Sequence, residues 1–120
     1  MILAIDFDNT IVEEFYPDIG PLKDNAKEVI NLLYDQEHTI IINSCRSGLY
    51  EGIMEQFLIE KEIKYHWINC NEPDRIKQFG RDCRKVSADI YIDDKNLGGI
   101  PDWLTIYEMI QQYGRKESAL

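Results

Sequence analysis

Met1-Ile2-Leu3-Ala4-Ile5-Asp6-Phe7-Asp8-Asn9-Thr10 is the stretch from which the architecture can be read. Its apolar residues run without polar alternation and stop at a carboxylate. A strand with one wet face alternates, whereas a strand covered on both faces does not. Met1–Asp6 is therefore expected as a buried strand with Asp6 and Asp8 at its carboxyl end. Thr39–Asn43 repeats the pattern with β-branched residues, and the polar Ser44–Gly48 follows as a turn. Tyr65–Asn69 and Asp89–Ile92 are the expected third and fourth strands, the last running into Asp93-Asp94.

Helical spacing fills the intervals. Leu22, Ala26, Val29, Ile30 and Leu33 mark one face of a first helix, and Leu49, Tyr50, Ile53, Met54, Phe57 and Leu58 one face of a second. Glu13–Pro21, with two prolines and a glycine, is expected as an irregular excursion. Cys70–Arg84 is less regular, with a short helix expected around Arg75–Phe79. Gly98-Gly99 breaks the chain, and Pro101 opens a last helix with Asp102 in its first turn and Trp103, Ile106, Tyr107 and Ile110 inward. The tail from Gly114 is polar and expected to fray. Strands alternating with amphipathic helices make βαβ units. The expected fold class is α/β, a Rossmann-like three-layer α/β/α sandwich with a central parallel sheet, formed by residues 1–120 as one domain.

The 120 residues are 44% apolar and 29% charged, which suits one folded core and argues against disorder. A net charge of −9 argues against non-specific binding to a polyanion. Arg75, Lys77, Arg81, Arg84 and Lys85 nonetheless form a basic stretch, read either as a solvated helix face or as a rim beside an anion site. The apolar runs fall far short of the ~20 residues of a membrane span, and Met1–Ile5 lacks the basic flank of a secretory signal. A cytoplasmic location and no membrane partner are expected. Cys45, Cys70 and Cys83 form no CxxC pair and are expected as reduced thiols, Cys45 buried against the sheet. His38 and His66 sit at no zinc-ligand spacing to them, and structural or exposed roles are expected.

In such a fold, chemistry sits in the crevice outside the carboxyl ends of the strands. Asp6 and Asp8 follow the first strand, Ser44 the second and Asp93-Asp94 the fourth, with Lys85 on the loop before it. Lys77 and Lys95 are the other lysines able to serve in that place. Four carboxylates crowded together repel unless a cation compensates. A hard divalent ion with oxygen ligands fits them, and Mg²⁺ suits a site that keeps waters and a substrate phosphate. Cation and lysine together would neutralise a phosphoryl group, so that Asp6 could attack phosphorus. Asp8, ~6–7 Å further along an extended chain, is placed to move a proton to a leaving oxygen and from a water. Ser44 is suited to donate a hydrogen bond to a phosphate oxygen.

Asp6-Phe7-Asp8-Asn9-Thr10 resembles the DxDxT signature of the haloacid dehalogenase superfamily in its phosphatase form. Ser44, Lys85 and Asp93-Asp94 are similar in order and placement to its second, third and fourth motifs. The segments Asn43-Ser44-Cys45-Arg46 and Ile92–Asn96, followed by Gly98–Trp103, look closest to small bacterial and phage hydrolases of that superfamily. The resemblance spans Met1 to Tyr113. It implies Asp6 as nucleophile and metal ligand, and Asp8 as general acid/base with its backbone carbonyl on the metal. It further implies Thr10 holding the first motif beside the phosphate, Ser44 and Lys85 binding phosphate, and Asp94 with Asp93 completing the Mg²⁺ shell. No cap domain is expected, because core helices and strands already fill the intervals between motifs. An open site would draw its selectivity from rim residues, with Arg46, Tyr16, Arg75 and Arg81 as candidates.

The expected function is hydrolysis of a phosphomonoester, with a nucleotide or another small phosphorylated metabolite as substrate. A phosphatase of nucleic acid 3′- or 5′-ends is the related alternative, disfavoured by the net charge. A non-catalytic phospho-acceptor or binding module would use the same residue types. Receiver domains, however, place paired acids after the first strand and the acceptor aspartate later, the reverse of the order here.

Overall fold

The apolar runs become four strands in the computed structural model, which describes residues 1–119 and their side chains through Arg115. They are β1 (Ile2–Ile5), β2 (Thr39–Ile42), β3 (Trp67–Ile68) and β4 (Ile90–Ile92). Helices α1 (Ala26–Asp35), α2 (Gly48–Glu60), α3 (Pro73–Phe79) and α4 (Trp103–Ala119) connect and follow them. The sheet is parallel throughout, in the order β3-β2-β1-β4. Leaving β1, the chain builds outward through β2 and β3, then crosses back to set β4 on the other side of β1. The strand order therefore reverses between β1 and β4, where such folds open a crevice.

Register levels the strand ends. Ile5 pairs with Ile42 on one side and with Ile92 on the other. The chain thus leaves the sheet at one height on three neighbouring strands, and Asp6, Asn43 and Asp93 emerge side by side.

Alternation assigns the faces. Leu3, Ile5, Ile40 and Ile42 point into the main core with Val29, Ile30 and Leu33 of α1, Met54 and Leu58 of α2, and Trp103, Ile106 and Ile110 of α4. Each such buried side chain contributes roughly 1.5–3 kcal/mol. Ile2, Ala4 and Ile41 face the other way, covered by Val86 and Ala88 on the segment after α3. The fold is the expected three-layer Rossmann-like sandwich, and no cap is inserted among the described residues. Its second layer is thin, since α3 buries no residue.

Several boundaries differ from expectation, each for a local reason. The first helix starts at Ala26 rather than Leu22, because Leu22 bridges Val12 and Lys23 N–H donates to Ile11. On α2 only Met54 and Leu58 are buried, whereas Leu49, Tyr50 and Ile53 are exposed. The third strand shortens to Trp67–Ile68 at the sheet edge. α3 begins earlier than expected, at Pro73, where the Glu72 side chain accepts from Asp74 N–H; it ends at Gly80, whose φ of 78° suits glycine. At the start of α4, Asp102 caps the helix by accepting from Thr105 N–H at 2.9 Å. That helix does not fray at Gly114 but continues to Ala119, and Leu120 lies outside the described residues.

Candidate active site

Beyond β1 the chain curls at once. Phe7 C=O accepts from the N–H groups of Thr10, Ile11 and Val12, at 3.2, 2.9 and 3.3 Å, and Asn9 takes φ 61°, a left-handed conformation asparagine tolerates. The curl folds Thr10 back under Asp6. Thr10 Oγ1 donates to Asp6 Oδ2 at 3.0 Å and accepts from Asp94 N–H at 3.1 Å. Thr10 C=O accepts from the buried Trp103 indole at 2.9 Å. One fully buried threonine thus ties the β1 loop, the β4 loop and α4 together. Its hydroxyl is engaged on both sides and shielded, so Thr10 organises the loops and is not itself a phosphate ligand.

Around that hub, Asp6, Asp93 and Asp94 each present an oxygen within 4.8 Å of the others. Burial pushes the Asp6 carboxyl up to about 7, aided by a hydrogen bond shared with Asp94 and by the charge of Asp93; the Thr10 bond pulls the other way. Burial also pushes Asp94 up, but bonds from Asp6 and Asn9 and the nearby Lys95 outweigh it and leave Asp94 below its ordinary value. Asn9 Nδ2 lies 3.0 Å and Lys95 Nζ 3.5 Å from Asp94 Oδ2. Asp6 is therefore the harder of the two to ionise and Asp94 the easier. Such a trio ionises fully only with a counter-charge among its oxygens, and the all-carboxylate set fits a hard divalent cation.

Asp8 lines the same cleft, but its carboxylate is engaged elsewhere. Arg46 Nε donates to Asp8 Oδ2 and Nη2 to Asp8 Oδ1, both at 2.8 Å, a bidentate fork. Arg46 also donates to Pro17 C=O and Asp18 C=O at 3.1 Å, and its guanidinium lies 5.5 Å from the Phe7 ring centroid and 5.0 Å from that of Tyr16. At 2% exposure Arg46 is a buried positioning residue, not the rim contact expected from sequence. With Arg46 drawn inward to Asp8, its neighbour Cys45 turns outward into the cleft, exposed rather than buried against the sheet.

Ser44 is placed by the neighbouring loop. Its N–H donates to Asn69 Oδ1 at 2.7 Å, while Asn69 Nδ2 donates to Arg46 C=O and Glu51 Oε1. Ser44 Oγ accepts from Arg46 N–H at 3.1 Å, leaving its own hydrogen to donate. Lys85 is not brought to this end. It is exposed, with Nζ 5.3 Å from the Tyr91 ring centroid, because its segment runs back toward the amino end of β4. Arg75 belongs to that opposite end too, pairing with Asp89, whose other oxygen accepts from Ile2 N–H. Lys77 and Arg81 do not line the cleft; Lys95 and Tyr16 do. Asn9 and Asn69 escaped the sequence reading. Each follows a strand and takes positive φ, a conformation in which asparagine is enriched, and that was the available signal.

The cleft, of about 290 Å³, is bounded by Asp6, Asp8, Glu14, Tyr16, Ser44, Cys45, Arg46, Asp93, Asp94 and Lys95. A larger hollow of about 670 Å³ between β4 and α4 is mainly apolar and shares only Asp93 with it. Convergent polar groups mark a reactive site better than volume does. Among the described residues no helix is long and apolar enough to cross a membrane.

No family model matches the chain, and no curated protein matches it. A solved structure does: the conserved protein coded by locus from Bacteroides thetaiotaomicron is 39% identical, with a TM-score of 0.85 over 94% of this chain and 91% of that one. The chain accordingly belongs to the same family as this conserved Bacteroides thetaiotaomicron protein.

Proposed function

We propose that the protein is a capless phosphomonoester hydrolase of the haloacid dehalogenase type, with Mg²⁺ held by Asp6, Asp93 and Asp94. The observation that carries the reading is the convergence of those three carboxylates within 4.8 Å at the β1/β4 crevice, beside Asp8 and Ser44. Bound Mg²⁺ would supply positive charge for the phosphoryl oxygens and keep Asp6 ionised. Asp6 attacks phosphorus, the bond from phosphorus to the ester oxygen breaks, and that oxygen leaves with a proton from Asp8. Water then attacks the aspartyl-phosphate and gives its proton to Asp8. The bond from phosphorus to Asp6 breaks, freeing inorganic phosphate and restoring the carboxylate. To carry the proton, Asp8 gives up one of its two bonds from Arg46. Ser44 Oγ–H and Lys95 hold phosphate oxygens, Lys95 in the role first expected of Lys85.

A small substrate is favoured over a nucleic acid end, because Arg75 of the basic stretch is tied to Asp89 at the far end of the sheet. Asp8 argues for turnover over a stable phospho-acceptor, which needs no second acid. The three free thiols suit the reducing cytosol. The test is phosphate release from a panel of phosphomonoesters with Mg²⁺ and again with chelator. Release that chelator abolishes is expected; none with either, or equal release in both, overturns the reading.

A further inference from the structure

Tyr16 lines the cleft with 54% of its surface exposed, on the loop whose Pro17 and Asp18 carbonyls accept from Arg46. Beneath it, the Arg46 guanidinium lies 5.0 Å from the ring centroid and is fixed by Asp8, Pro17 C=O and Asp18 C=O. Beside it, the Tyr50 ring from the start of α2 lies 5.7 Å away at 56°. Tyr50 is 39% exposed, and with Leu49 and Ile53 it forms the part of the expected helix face that the core does not bury. The result is a half-exposed pair of aromatic rings over a fixed guanidinium, next to the carboxylates of the cleft.

We infer that Tyr16, backed by Arg46 and flanked by Tyr50, is a stacking platform for the leaving group, so that the site prefers phosphomonoesters whose alcohol carries a flat aromatic ring. The inference rests on the phosphohydrolase reading for where the phosphate sits. With phosphorus at Asp6 and the ester oxygen toward Asp8, the leaving group points to Arg46 and the Tyr16 ring above it. A guanidinium over the ring attracts and polarises it, while 54% of the residue's surface stays exposed. A preformed platform costs little side-chain ordering on binding, which matters where no cap encloses the substrate. Stacking of a flat ring on such a residue is worth about tenfold in affinity or more. A nucleoside and an aryl alcohol share this chemistry, and the experiment separates them.

The test compares kcat/KM for a nucleoside monophosphate, an aryl phosphate and glycerol phosphate, with Mg²⁺, in the wild type, Tyr16→Ala, Tyr16→Phe and Tyr50→Ala. The wild type should prefer the nucleotide over glycerol phosphate about tenfold or more. That preference should collapse in Tyr16→Ala, survive in Tyr16→Phe and weaken in Tyr50→Ala, with the loss sitting in KM. A parallel fall for the aryl ester assigns any flat ring; a fall confined to the nucleotide assigns a nucleoside. Saturation transfer from tyrosine ring protons to the bound base, lost in Tyr16→Ala, reads the platform without turnover. Transfer without phosphate release defeats the hydrolase and keeps the platform. Release with no aromatic preference, or a preference untouched in Tyr16→Ala, defeats the platform and keeps the hydrolase. Absence of both release and transfer overturns both.

Discussion

Replacing Asp6 by asparagine isolates what it costs to hold that carboxylate ionised without a cation. The asparagine carbonyl still accepts from Thr10, and its amide offers Asp94 the donor that a protonated Asp6 offers. In chelator the two proteins therefore differ chiefly where Asp6 must ionise. The folded chain keeps this proton to about pH 7, whereas the unfolded chain releases it near 3.8. Between those values the folded state binds more protons, so the stabilisation is fully present below pH 3.8 and is lost as the pH rises through about 7. At ~1.4 kcal/mol per pH unit the interval sets a ceiling of about 4 kcal/mol. Solvent screening in an open cleft brings this to about 2 kcal/mol. A chain of this length shifts by roughly 4 °C per kcal/mol. Asp6→Asn should then melt about 8 °C above the wild type near pH ~8 in chelator, and the gap should close near pH ~4. Mg²⁺ should raise the wild-type Tm and move the variant far less. Thermal melts across a pH series read both effects. A variant no more stable than the wild type at pH ~8 would mean that Asp6 ionises in the folded chain without cost.

Arg46→Ala leaves the half-buried Asp8 without its fork and frees the Pro17–Asp18 loop; about 2 kcal/mol, or a Tm lower by roughly 8 °C, is expected. Adding Asp8→Asn should recover part of that loss, read from the double-mutant cycle in denaturant. Thr10→Val removes the bonds to Asp6 and Asp94 N–H at once, costing about 1–3 kcal/mol; calorimetry should also show weaker Mg²⁺ binding. Lys95→Ala should raise KM for phosphate release about tenfold, on the scale of one charge-assisted hydrogen bond, whereas Lys85→Ala should leave it within about twofold. The opposite ranking in steady-state kinetics would return Lys85 to the site.

The parallel sheet was legible because burial on both faces suppresses alternation, and Met1–Asp6 and Thr39–Asn43 show it; β4 at the sheet edge, with Tyr91 exposed, was legible from its apolar residues running into Asp93-Asp94. Those strand ends also located Asp6, Asp8, Ser44 and Asp93-Asp94, since a parallel sheet gathers its carboxyl ends. The partners were not legible. Arg46 meets Asp8 through a fork spanning 38 positions, and nothing local distinguishes it from a surface arginine until Pro17 and Asp18 fold over it. For Lys85, sequence order gives a place before β4 without revealing that its segment crosses the sheet face toward the amino end. Leu49, Tyr50 and Ile53 carry helical spacing but stay exposed, since periodicity marks a face and not what covers it. The double hydrogen bond of Thr10 depends on the curl after Phe7, which the DxDxT spacing alone does not specify.

Turnover through Asp6 requires a transient covalent bond from its carboxylate to phosphorus. Mixing the protein with Mg²⁺ and a turned-over phosphomonoester, quenching in acid within the first turnover and measuring intact mass tests it directly. A wild-type population heavier by one phosphoryl group, mapped to Asp6 and absent from Asp6→Asn, is the expected result. Phosphate release by Asp6→Asn at the wild-type rate would contradict it.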